Sequence, residues 1–74
     1  MTLKRIKANM KPGTVGWTYA PDGVPMVLVC EPTNKNVKKF TSITDYAFPN
    51  TARRGAKRQA ARLGFKYMGC LHDA

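Results

Sequence analysis

Acidic residues are nearly missing from this sequence. Asp22, Glu31, Asp45 and Asp73 are the only four, against thirteen Lys and Arg, and the 74-residue chain carries a net charge of +9. No two of these acids are placed as a catalytic pair, and histidine occurs once, at His72. No Ser or Cys sits in a nucleophile motif, and no Gly-rich loop opens a helix with phosphate-loop spacing. The chain is therefore not expected to be an enzyme or to hold a cofactor. Cysteine is equally scarce. Cys30 and Cys70 are too few for a disulfide framework. With His72 and Asp73 they make four possible zinc ligands, but without a C-x2-C pair, so no metal is expected. Each follows an apolar run and reads as a small buried hydrophobe. Long apolar runs are absent too. The longest, Val24 to Cys30, contains Pro25 and falls far short of the roughly 20 residues that span a bilayer. The start of the chain, residues 1–7, has charge but no apolar segment behind it, unlike a secretory signal. No membrane partner is expected, the expected setting is the cytoplasm, and the thiols should be reduced there.

What remains suits one small domain, residues 1–74. The hydrophobic fraction of 43% favours a folded chain over a basic tail. Leu3 to Met10 reads either as a lysine-bearing edge strand or as a flexible basic arm, so residues 1–11 stand somewhat apart. Thr14 to Ala20 alternates, with Val15, Trp17 and Tyr19 on one face, which predicts a strand. Pro21-Asp22-Gly23 is a turn, since proline presets φ and glycine is free to take φ > 0. Pro25 to Glu31 is apolar at successive positions, as in a strand buried on both faces. The two strands predict a hairpin. Val37 to Ile43 predicts a third strand, and Phe65 to Leu71 a closing one. Between them, Asn50 or Thr51 can cap a helix that runs over about 51–63 and stops at Gly64. Its apolar stripe is Ala52, Ala56, Ala60 and Leu63, with Gly55 beside it. Such small side chains let a helix lie close to a sheet. The expected fold class is α+β: a small antiparallel sheet of three to five strands with one basic helix on one face. A small SH3-like or OB-like barrel with an appended helix is the alternative.

That helix carries the strongest functional signal. From Arg53 to Lys66 the chain places Arg53, Arg54, Lys57, Arg58, Arg62 and Lys66 with no acid among them. A merely solvated helix face usually mixes signs, because i, i+4 ion pairs stabilise it. Cations in the first turn also oppose the helix dipole. A negatively charged partner accounts for both features, and phosphate is well matched to the planar fork of arginine. First-turn N–H groups can donate to a phosphate oxygen as well. Lys35, Lys38 and Lys39 form a second cluster, and Lys4, Arg5, Lys7 and Lys11 a third. Exposed rings among lysines can stack on bases. Tyr67, Tyr46 and Tyr19 are the candidates for that role, while Trp17, Phe40 and Phe65 are assigned to the core.

The leading expectation is a small nucleic-acid-binding protein, for DNA or RNA. Its contacts would be Arg53, Arg54, Lys57, Arg58, Arg62, Lys66, Lys35, Lys38, Lys39 and Tyr67. The alternative is a small regulator or inhibitor, of the kind phages and mobile elements encode, that docks on an acidic surface of a larger host protein. A component of a ribonucleoprotein is a third possibility.

Overall fold

The structure, a computed structural model, describes residues 2–33 and 37–72. Its elements are helix α1 (Leu3–Asn9), strands β1 (Thr14–Tyr19), β2 (Pro25–Glu31) and β3 (Lys39–Ile43), helix α2 (Pro49–Leu63) and strand β4 (Lys66–Cys70). The strands form one open sheet in the order β3-β2-β1-β4. The α+β class holds, and the sheet does not close into a barrel.

The hairpin is as expected. β1 pairs antiparallel with β2, from Thr14 opposite Cys30 to Tyr19 opposite Pro25. Gly23 takes φ 88° in the turn, and the Asp22 carboxylate accepts from the Val24 N–H at 3.2 Å. β2 is central, flanked by β1 and β3. Its residues Pro25 to Cys30 are all buried, so both sheet faces must be covered.

Two helices cover them, one more than expected. On one face Val15, Val27 and Val29 meet Ala52, Ala56 and Ala60 of α2. The alanine stripe works as read, except that Leu63 remains 39% exposed at the helix end. Gly55 is buried against Tyr46, and a Cβ there would collide with the Tyr46 ring. Tyr46 is thus a packing residue under α2 rather than a surface ring. On the other face Met26, Leu28 and Cys30 meet Ile6 and Met10, with Leu3 and Phe40 alongside.

The segment expected as an edge strand or loose arm is therefore helix α1. Leu3, Ile6 and Met10 fall at helical spacing and turn one stripe to the sheet. Thr2 caps the helix, its side chain accepting from the Arg5 N–H. A helix of seven residues is unstable alone, so it exists here because the uncovered face of β2 holds it.

The sheet is mixed rather than purely antiparallel. β4 pairs parallel with β1. The reason is the connection: β3 runs parallel to β1, and α2 carries the chain back to the start of the sheet. The next strand must then run the same way. Gly64 ends α2 in the left-handed region, φ 71°, with its N–H donating to the Ala60 carbonyl. Gly69, at φ 72°, accompanies a register shift between Val15 and Trp17. The chain then folds Leu71 over Gly16, where a Cβ would meet the leucine side chain. No helix among the described residues is long and apolar enough to cross a membrane.

Two substitutions test this packing. Ile6→Ala should lower unfolding free energy by about 2–4 kcal/mol, through lost transfer energy and a cavity, while Lys4→Ala should change it by less than about 0.5 kcal/mol. Equal, negligible effects in chemical denaturation would show that residues 3–9 are not docked. Gly55→Ala raises intrinsic helix propensity by about 1 kcal/mol, yet it should destabilise by about 1–3 kcal/mol through overpacking on Tyr46.

Candidate nucleic-acid interface

Helix α2 presents its cations as two rows. Arg54, Arg58 and Arg62 recur at i, i+4 along the outer surface, and Arg53 and Lys57 recur at i, i+4 on the flank beside β4. All five side chains are exposed. Among the described residues, no carboxylate pairs with any of them; Arg62 donates to the Gln59 side-chain oxygen at 2.8 Å. Three like-charged i, i+4 pairs cost the helix about 1 kcal/mol in all. The first turn adds Arg53 and Arg54 with no acid to offset them. The helix withstands this because its alanine stripe is fully packed on the sheet.

The start of α2 differs from the expectation. Phe48, not Asn50 or Thr51, occupies the N-cap position, and it makes no side-chain cap bond. Pro49 has no N–H, and the Thr51 and Ala52 N–H groups both donate to the Phe48 carbonyl. Little of the first turn is left to hold a phosphate oxygen, so anion recognition falls to the side chains.

Lys57 is the best-placed cation. Its ammonium lies 5.7 Å from the centre of the Tyr67 ring. Tyr67 is half-buried in the cluster under α2, so its role is to position Lys57 through a cation–π contact. One turn earlier on the same flank stands Arg53. Because α2 runs opposite to β4, Arg53 lies toward the end of β4. There Trp17, Tyr19 and His72 form a ring cluster, with centroids 5.3 to 5.7 Å apart. The His72 Nδ1 bonds the Thr18 hydroxyl at 3.1 Å and lies 3.3 Å from the Cys70 sulfur. Tyr19 is 41% exposed. The sequence reading missed this cluster as a unit. The Cys70–His72 spacing hinted that one strand end carries both, but only the sheet order sets them beside Trp17.

The remaining expected contacts separate. Lys66 lies on the opposite face of the sheet from α2. The pleat sends Tyr67 under α2 and Lys66 and Met68 to the side of α1, where both line a groove with Ile6 and Met10. Strand alternation is the reason, since neighbours along a strand point to opposite faces. Lys38 is likewise removed from the α2 surface. Its ammonium donates to the Ala8 carbonyl at 2.6 Å, at the C-terminus of α1. That end of the helix is negative, and the lysine is a tertiary cap for it. Lys39 is exposed on the α2 side, opposite Glu31 in the β2–β3 register. Lys35 lies outside the described residues. In the basic cluster of α1, Lys7 is engaged too, its ammonium 5.4 Å from the centre of the Phe40 ring.

The cysteines behave differently from one another. Cys30 is buried in the core under α1. Burial pushes its thiol pKa up, and the nearby Lys38 ammonium only partly counters this. Cys70 is half-buried beside His72. Among the described residues no three metal-ligating side chains converge, and Asp73 lies outside them.

Comparison with protein-family models, curated proteins and solved structures finds no match to this chain. The functional reading rests on its own residues.

Lys38 offers a direct test of the cap. Lys38→Met should destabilise the protein by about 0.5–1 kcal/mol, the usual range for a cation at an exposed helix end. Backbone amide exchange should speed up in residues 3–10 and stay unchanged in α2. Uniform exchange rates along the chain would show that Lys38 does not clasp α1.

Proposed function

We propose that this protein binds nucleic acid by setting the outer face of α2 against the phosphate backbone. Arg53, Arg54, Lys57, Arg58 and Arg62 make the contacts, and Lys39 extends the surface on the same side of the sheet. The observation that supports this most is the unbroken, exposed, acid-free cation face of a helix whose other side is locked in the core. Such a face raises the local concentration of a polyanion and costs the helix stability in its absence. Rigid backing also keeps the arginine forks at fixed spacing, which favours a regular array of phosphates. Lys66 and Lys38 take no part in this surface, Lys66 because it faces the other way and Lys38 because it is bonded to α1.

The reading is tested with the full chain, labelled DNA and RNA oligonucleotides, and a salt titration. If five cations contact phosphates, log affinity falls with log salt at a slope of about −4.5 on duplex DNA and about −3.5 on a single strand. Combining Arg54→Glu with Arg58→Glu should abolish binding while the fold, followed by circular dichroism, stays intact. Lys66→Glu should leave affinity within about threefold, as expected for a charge remote from the contact. A flat salt response, or an effect of Lys66→Glu as large as that of the α2 reversals, would overturn the reading. An acidic protein bound through α2 would instead give affinity that survives physiological salt and a specific partner that nuclease treatment does not remove.

A further inference from the structure

The face of the sheet opposite α2 is only partly covered. α1 lies over β2 and leaves a groove of about 220 Å3 between itself and the outer strand β4. Ile6, Met10, Met68 and Leu71 form its apolar floor and wall, and Lys11 and Lys66 stand at its rim. Met68 is 47% exposed, on the last strand of the sheet. β4 is hydrogen-bonded to β1 on one side, and no described strand lies on its other side. An outer strand usually protects itself with charge. Lys66 does so here, but Met68 two residues later does the opposite.

We infer that the groove and the open edge of β4 together form a docking site for an extended acidic segment of a partner protein. The segment adds as a fifth strand on β4, seats one apolar side chain between Met10, Met68 and Leu71, and sets a carboxylate beside Lys11 and Lys66.

Each feature selects part of this occupant. The open edge along residues 66–68 supplies main-chain donors and acceptors, and alternate side chains of an added strand fall on alternate faces. The groove is smaller than the ~300–1,000 Å3 of a cofactor pocket, but it has room for one large side chain. Two methionines give that pocket an adaptable lining. The lysines fix the sign of the partner. A second copy of this chain is disfavoured, since pairing β4 edges would bring Lys11 and Lys66 of both copies together on molecules of net charge +9. Nucleic acid offers phosphates to the lysines but neither an aliphatic side chain for the groove nor a peptide edge for β4.

The test uses the full chain and a capped ten-residue peptide with glutamate and leucine taking turns at every second position, so that both lie on one strand face, and threonine at the positions between, beside the same peptide with glutamine in place of glutamate. Binding is read by fluorescence anisotropy and by amide and methionine-methyl NMR shifts. The acidic peptide should bind at least tenfold more tightly than the glutamine peptide, with shifts confined to residues 66–71 and to Met10 and Met68. Met68→Glu should weaken binding at least tenfold. Lys11→Glu combined with Lys66→Glu, both at exposed positions, should do the same and keeps the test open if Met68→Glu fails to fold. The paired Arg54→Glu and Arg58→Glu changes should leave peptide affinity within about threefold, which separates this site from the α2 surface. Three results would each overturn the inference: no binding, shifts centred on α2, or affinity unaffected by the groove variants. Peptide-independent dimerisation through β4 would overturn it as well, by assigning the edge to a second copy.

Discussion

Burial of β2 on both faces is the constraint on which this structure depends. A strand with Met26, Leu28 and Cys30 on one side and Val27 and Val29 on the other must lie between two layers. Here the two layers are helices that flank β1–β3 in sequence. α2, after the sheet, supplies one. α1, before it, supplies the other. The two helices meet the demand differently. α2 brings almost no side-chain bulk and comes close through Ala52, Gly55, Ala56 and Ala60. α1 is short and, with its C-cap residue, covers its face through large side chains, Leu3, Ile6 and Met10.

This division also separates two chemistries. The α2 layer is long enough to carry a full polar face, and every charged residue on that face is a cation. The α1 layer is too short to reach β4, so a strip of apolar sheet stays open at the edge. One side of the molecule thus offers charge on a rigid backing. The other offers an apolar groove with a basic rim. The same +9 balance serves both, because cations that favour a phosphate backbone also favour a carboxylate.

Much of this was legible in the residues. The β1–β2 hairpin followed from alternation around Val15 and Trp17 and from the Pro21-Asp22-Gly23 turn. The end of α2 followed from Gly64, and its buried stripe from alanine spacing. Residues 3–10 read locally as a strand or arm, although Leu3, Ile6 and Met10 have helical spacing. Local preference is weak over seven residues, and docking decides the outcome. The double-sided burial of β2 did imply a second cover, which a one-helix architecture left without a source. Tyr46 reads as a surface ring because nothing local shows that Gly55 opens a socket for it. The parallel pairing of β4 could not be read either, since it depends on which edge of the sheet α2 returns to.

By itself, then, the sequence determined the balance of charge, the scarcity of acids, the hairpin and the basic helix, because these depend on composition and on contacts a few residues apart. Only the tertiary structure decided where each cation points. Lys38 and Lys39 are adjacent, yet one caps α1 and the other stands beside Glu31 on the α2 side. Lys66 follows the helix cations in sequence but faces away from them, toward the groove. For Lys66 and Tyr67 the pleat of β4 sends neighbours to opposite faces, whereas Lys38 lies just before β3 and reaches across to α1; only the order of strands between the two helices says which face is which.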